Sequence, residues 1–181
     1  MSLSGQNLSI VIVTLKSEKV IHDCIKSIDQ NIPIIIVENS NNYELKKNLE
    51  SQYKNLKCVI TEKNLGMGAA NNKGIKLVNT DYVYILNPDT TLEKNTLENL
   101  FLESKKIPDF SIISPIHSDS NFPNWKNTLE KDFDKSQPFQ VESVDGYSML
   151  LNKKNLKDLY FDENFFLYLE NDDFCLRARK A

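Results

Sequence analysis

Two runs, residues 8–14 and 32–37, constrain this chain more than any other feature, because both are almost wholly aliphatic and rich in β-branched residues. Branching at Cβ stiffens a side chain and suits extended backbone. A strand that is apolar at successive positions has to bury both faces, as strands of a parallel sheet do. Helical spacing fills the intervals, with Val20, Cys24, Ile25 and Ile28 after the first run and Leu45, Leu49 and Tyr53 after the second. Residues 57–61 read as a third strand, Met67, Ala70, Gly74, Leu77 and Val78 as a third helical stripe, and residues 82–86 as a fourth strand. The alternation β-α-β-α-β-α-β predicts a doubly wound α/β fold, a Rossmann-like, mostly parallel sheet flanked by helices on both faces. Ligands of such sheets sit at the carboxyl ends of the strands.

The pattern continues with a helix over 94–104 and a strand over 110–116. Residues 118–140 are polar, with Pro123, Trp125 and Pro138 scattered through them and no sustained period, which predicts a long loop with Trp125 anchoring it. Residues 148–151 read as a strand, 153–159 as a short helix, and a last helix begins near Asp172. At 181 residues with 40% hydrophobic content, the chain can build one core, and a single domain is expected.

Charge and cysteine usage exclude several classes. The 22 basic and 25 acidic residues are interspersed, without the basic stripe that a nucleic acid partner requires. Neither a leader-like N-terminus nor an apolar run of membrane-spanning length is present, so a cytoplasmic protein is expected. Cys24, Cys58 and Cys175 are far apart and odd in number, with no Cys-x-x-Cys pair among them, which predicts reduced core thiols rather than a zinc or redox site.

The strand ends carry the chemistry. After the fourth strand, Asn87-Pro88-Asp89-Thr90 places a carboxylate in a proline-fixed turn, suited to hold a hard divalent cation against a diphosphate. The same residues serve equally as an ordinary turn in which Asp89 caps the next helix. Glu38 ends the second strand, where an acid accepts from ribose hydroxyls or is merely solvated. Asn64-Leu65-Gly66-Met67-Gly68 opens a helix whose free N–H groups face the same sheet edge. Thr14 ends the first strand, either touching a nucleotide or satisfying the strand end.

Taken together these residues resemble family 2 glycosyltransferases of the GT-A fold, in particular their rhamnosyltransferase-like branch. Ile10-Val11-Ile12-Val13-Thr14 is similar to the opening strand of that family and Ile36-Val37-Glu38-Asn39-Ser40 to its nucleotide-contacting strand end. The most specific stretch is Asn64-Leu65-Gly66-Met67-Gly68-Ala69-Ala70-Asn71-Asn72-Lys73-Gly74-Ile75, continued by Leu86-Asn87-Pro88-Asp89-Thr90. The resemblance implies a donor site formed by Thr14, Glu38, Asn64, Gly66, Asn71, Asn87 and Asp89, with Asp89 holding Mn2+ or Mg2+ on the donor diphosphate. Asn87 stands where the family's acidic motif has its first aspartate, and Glu38 where aspartate is commoner. Val144-Asp145-Gly146-Tyr147 resembles the segment lining the sugar and acceptor pocket, where Asp145 and Gly146 would meet the sugar, although a plain turn before a strand fits them as well.

The stretch from Asp162 to Arg177 resembles the family's block ahead of its last core helix, which implies a general base on the acceptor side. Inverting transfer needs a carboxylate within reach of the acceptor hydroxyl. Asn171 occupies the commonest base position and cannot take a proton, leaving Glu170 and Asp172 as candidates; both suit a helix N-terminus as caps too. The resemblance further implies a nucleotide-binding part over about 7–116, an acceptor-side part over about 117–181 and a chain truncated at its C-terminus relative to the family. The expected reaction moves a sugar, rhamnose from a deoxythymidine diphosphate donor, to a hydroxyl of a polysaccharide or lipid-linked glycan at the inner face of the cell membrane, with peripheral membrane association carried by C-terminal elements. Two rivals are a non-catalytic sugar-nucleotide binding module and a nucleotidyltransferase. The latter needs a Gly-rich, basic loop after the first strand, where this chain has Leu15-Lys16-Ser17-Glu18.

Overall fold

The computed structural model describes residues 7–119, 121–127 and 134–180, so the first six residues, Ala181 and parts of the 118–140 stretch lie outside the described residues. The elements in chain order are β1 (Leu8–Thr14), α1 (Ile21–Lys26), β2 (Ile34–Glu38), α2 (Tyr43–Gln52), β3 (Leu56–Ile60), α3 (Met67–Leu77), β4 (Tyr82–Leu86), α4 (Thr96–Ser104), β5 (Ile112–Ile113), β6 (Trp125–Lys126), β7 (Ser143–Val144), β8 (Ser148–Asn152), α5 (Lys153–Leu156) and α6 (Glu170–Ala178).

The main sheet has the order β3-β2-β1-β4-β8-β5. Strands β1 to β4 run parallel, while β8 is antiparallel to both β4 and β5. Every residue of β1 is buried, as its unbroken apolar run requires. Its side chains alternate between two cores. Leu8, Ile10 and Ile12 pack with residues of α1, α2 and α4 on one face, and Val11 and Val13 with residues of α3, α5 and α6 on the other. Helices thus cover both faces, as expected. The strand order reverses between β1 and β4, the topological switch point at which a ligand crevice forms in sheets of this kind.

Several boundaries differ from the sequence expectation, each for a local reason. Strand β2 begins at Ile34 because Pro33, which has no N–H to give, precedes it. Only Ile112 and Ile113 of the expected 110–116 strand pair with β8; Phe110 turns into the core and Pro115 follows. The helix expected over 153–159 stops at Leu156, as Lys157 takes φ 54°. The final helix opens at Glu170, two residues earlier than expected. Within the polar stretch, Trp125 and Lys126 form β6, paired antiparallel with β7, and Trp125 packs edge-on against Phe139. All three cysteines are buried and free, as expected. Among the described residues no helix is long and apolar enough to cross a membrane.

Candidate functional site

The parallel ladders bring Thr14 and Glu38 side by side at the carboxyl edge. The β1–β4 register pairs Val11 with Ile85, so the same offset puts Thr14 level with Pro88. The turn beyond β4 is held from two sides: the Asn87 N–H donates to the Tyr147 carbonyl at 2.8 Å, and the Cys24 thiol reaches the Asn87 carbonyl at 3.5 Å. Burial and the nearby Asp89 charge push that thiol up to about 12, which keeps it protonated. Asp89 itself is exposed, and no hydrogen bond or ion pair from the described residues engages its carboxylate. Among those residues no three His, Cys, Asp or Glu side chains converge. A single exposed carboxylate suits Mg2+, which keeps several waters and takes one or two carboxylates beside phosphate oxygens.

Glu38 is fully buried and turned into its own loop. It accepts from the Ser40 N–H at 3.0 and 3.1 Å, from the Asn42 N–H at 2.7 Å and from the Ser40 hydroxyl. Its neighbour Asn39, which sequence reasoning passed over, is 2% exposed and fixes the next loop. The Asn39 amide donates to Asn64 Oδ1 at 2.9 Å and to the Gly66 carbonyl at 3.3 Å, while its oxygen accepts from the Leu65 N–H at 2.9 Å and the Thr61 hydroxyl at 3.0 Å. Asn64 Oδ1 also accepts from the Gly66 N–H at 2.9 Å. The loop leading into α3 is therefore rigid before any ligand arrives.

On the other side of the switch point, the turn before β8 meets the start of α6. A Cβ on Gly146 would lie 3.3 Å from Asn171 Cβ, and the Asn171 amide donates to the Val144 carbonyl at 2.9 Å. Asp145 is half-buried; burial pushes its carboxyl up, Lys126 pulls it back and Asp172 adds to the rise. Asp172 forms an ion pair with Lys126 and accepts from the Ser143 hydroxyl at 2.7 Å. Glu170 is 8% exposed and lies against Gly68 at the start of α3, 3.6 Å from where a Cβ there would be.

Three of these residues carry a buried oxygen with no hydrogen-bond partner: Thr14 Oγ1, Asn71 Oδ1 and Glu170 Oε2. Leaving such an atom unpaired costs about 1–3 kcal/mol, a cost accepted where a ligand supplies the partner. These acceptors lie at the end of β1, within α3 and at the start of α6, and Asp89 adds an exposed carboxylate beyond β4; the first N–H of α3, from Met67, is not free but donates to the Phe166 carbonyl.

The model of the family described as glycosyl transferase family 2 matches residues 9–174. Low-salt glycan biosynthesis hexosyltransferase Agl10 of Haloferax volcanii is 28% identical over 96% of this chain, which spans 62% of that protein's length. Among solved structures, the mannosyltransferase PcManGT from Pyrobaculum calidifontis in complex with GDP-Man and Mn2+ superposes over 95% of this chain and 51% of its own, with TM-score 0.73 at 13% identity. S. aureus TarS in complex with UDP-GlcNAc covers 95% of this chain and 53% of its own, with TM-score 0.69 at 19% identity. These neighbours carry the GT-A fold, and this chain shares it.

Proposed function

The chain belongs to glycosyl transferase family 2, and from that premise we propose that it binds a nucleoside diphosphate sugar across the carboxyl edge of its sheet and transfers the sugar, with inversion, to a hydroxyl of a polysaccharide or lipid-linked glycan. The observation that carries the reading is the set of buried, unpartnered oxygens at Thr14, Asn71 and Glu170, with Thr14 at the carboxyl end of β1 beside the reversal of strand order. Sugar and ribose hydroxyls are the donors such oxygens lack. Asp89 would hold Mn2+ or Mg2+, and a bound ion supplies positive charge to the departing diphosphate. Glu38 and Asn39 shape the loops on which the nucleoside rests, Asn87 sets the turn that presents Asp89, and Asp145 and Gly146 meet the transferred sugar. Glu170 takes the proton from the acceptor hydroxyl.

Rhamnose on deoxythymidine diphosphate is the donor favoured by the branch that Asn87-Pro88-Asp89 resembles. The glycan acceptor is supported by the name of the hexosyltransferase relative. A protein working on such substrates would act in the cytoplasm, against the inner face of the membrane where lipid-linked glycans grow.

The deciding experiment titrates UDP-GlcNAc, GDP-mannose and dTDP-rhamnose into the chain and into Asp89→Ala, with and without Mn2+. At least one donor should give a Mn2+-dependent heat that Asp89→Ala abolishes. Equal heats for the two proteins would remove Asp89 from the site, and the absence of any heat would sink the donor reading altogether. Binding without turnover on any glycan acceptor would leave a sugar-nucleotide binding module, and pyrophosphate release from a nucleoside triphosphate would point to nucleotidyl transfer.

A further inference from the structure

Helix α3 does two jobs with two adjacent asparagines. Asn71 and Asn72 are both buried, 2% and 1% exposed, in a helix whose other buried residues are small or apolar. Asn71 leaves its Oδ1 unpartnered. Asn72 is saturated by the chain itself: its amide donates to the Phe161 carbonyl at 2.9 Å and to Glu163 Oε1 at 3.0 Å, and its oxygen accepts from the Phe161 N–H at 2.9 Å. Donor and acceptor of one amide thus face acceptor and donor of one backbone residue 89 positions away, as two strands would pair. Among side chains of this length only asparagine presents both atoms side by side; aspartate has no donor and leucine has neither.

A second tie lies one turn earlier. The Met67 N–H donates to the Phe166 carbonyl at 3.0 Å, and Gly66, at φ 82°, lets that carbonyl approach so closely that a Cβ would lie 2.3 Å from it. Gly68 packs against Phe161 Cβ and Glu170 Cβ on the same face, with 3.2 and 3.6 Å to the position a Cβ would take. Between the ties and α6, Tyr168 and Leu169 both hold φ 68°, a left-handed conformation that non-glycine residues keep only where their surroundings enforce it. The segment from Phe161 to Leu169 is therefore docked onto the first half of α3, and its end fixes where Glu170 emerges.

We infer that Asn72 is a positioning residue for the transfer: by clamping Phe161 to α3 it couples the helix that offers Asn71 to the donor to the carboxylate that receives the acceptor proton. The inference rests on the proposed function, with Glu170 as base. Asn72 touches neither substrate; it acts through the backbone of the 161–169 segment. Loss of the clamp should leave donor binding intact and slow the chemical step, since an ångström of misplacement at a general base is enough to cost rate.

The test measures nucleoside diphosphate release from UDP-GlcNAc, GDP-mannose or dTDP-rhamnose with Mn2+, whichever the wild-type chain turns over, together with amide hydrogen exchange. Asn72→Ala should lower kcat by about tenfold or more while KM for the donor stays within about threefold. Exchange over residues 161–169 should accelerate while the amides of β1 and β4 keep their protection. Asn72→Asp retains the acceptor for the Phe161 N–H and loses the donor, so its kcat should fall between the two. A kcat within about twofold of wild type in folded Asn72→Ala, or a kcat for Asn72→Asp below that of Asn72→Ala, overturns the inference. So does loss of the cooperative thermal transition in both variants, which would make Asn72 a support of the whole fold. A wild-type chain that neither binds nor turns over any of the three donors refutes the proposed function instead, and the exchange measurement, which needs no donor, still reports whether Asn72 holds the segment.

Discussion

Lys126 and Asp172 form an ion pair between β6 and α6, and with the Ser143 hydroxyl on the other oxygen they occupy both ends of the Asp172 carboxylate. Glu170, two residues earlier on the same helix, faces away from that pair, since two helical positions differ by about 200°. Its Oε2 is buried without a partner. Of the two acids, Glu170 is the one free to receive a proton. Glu170→Gln, which keeps shape and burial, should therefore lower kcat for sugar transfer by about 10²–10⁴-fold, whereas Asp172→Asn should cost much less. Initial rates at saturating donor decide between them, and a reversed order would move the base to Asp172.

The same pair sets a pH dependence. Burial pushes the Asp172 carboxyl up, but the hydrogen bonds from Lys126 and Ser143 and the ammonium charge outweigh it and hold the group below the usual carboxylate range. The hydrogen bond to Asp172 pushes Lys126 up. A lowered carboxylate stabilises above its unfolded value of about 3.9 and loses that contribution as pH falls through the lower folded value; a raised ammonium stabilises below about 10.4 and loses it as pH rises through the folded value. The contribution thus spans roughly pH 4 to 10. Lys126 is 59% and Asp172 25% exposed, so solvent screening keeps it below about 1 kcal/mol. Lys126→Ala should lower the urea midpoint slightly at pH 7 and not at pH 3. Removing Lys126 also removes the charge that pulls Asp145 back, so the Asp145 carboxyl should titrate higher by NMR in the variant. An unchanged Asp145 titration would show that the two groups do not sense each other.

Glu38 gives a third prediction, because its four accepted hydrogen bonds come from Ser40 and Asn42 and not from outside the loop. Glu38→Gln turns an NH2 group towards backbone N–H donors, leaving at least one buried donor unpaired at a cost of about 1–3 kcal/mol. The variant should show a lower thermal midpoint and weaker binding of every nucleotide alike. A variant of native stability that discriminates differently among nucleotides would instead assign Glu38 a direct contact with the base or ribose.

The legible part of the fold is the part written in local pattern. Strand β4 is where its apolar run lies, and β1 also coincides with its run, because β-branched residues state their preference within a few positions. Strand β6 was invisible, since a two-residue strand owes its existence to β7, which is distant in sequence. The start of α6 is not legible because Leu169, in the left-handed region, caps it with no side-chain hydrogen bond, so no cap residue marks the spot. At the site, Thr14, Glu38 and Asp89 could be set on one edge from strand alternation alone. Which acid of α6 is free could not, as Lys126 and Ser143 reach Asp172 across 46 and 29 residues. The stretch containing Asn71 and Asn72 stands out in the sequence, but only the fold separates the two. The available signal was the helical face shared by Gly68, Asn72 and Ile75, which makes Asn72 a polar residue on a buried stripe.

Gly74 tests the platform on which α3 rests. Within a helix, Gly→Ala normally stabilises by about 1 kcal/mol through backbone entropy. Here a Cβ would stand 2.3 Å from Val11 Cγ1 and 3.1 Å from Val37 Cγ2. Both valines are fully buried in the middle of β1 and β2, and a β-branched side chain in a packed sheet has no second rotamer to escape into. Overpacking of this kind costs about 1–3 kcal/mol and more when the backbone has to move. The clash outweighs the propensity gain, so Gly74→Ala should lower the urea midpoint with an unchanged m-value. Gly146→Ala is the contrasting case, because the added methyl would meet only the Asn171 side chain, its Cβ at 3.3 Å and its Cγ at 3.8 Å, and stability should change by less than about 1 kcal/mol. If Gly74→Ala is instead as stable as Gly146→Ala, α3 can lift from the sheet, and the rigid platform assumed for Asn71, Asn72 and the loop before them does not exist.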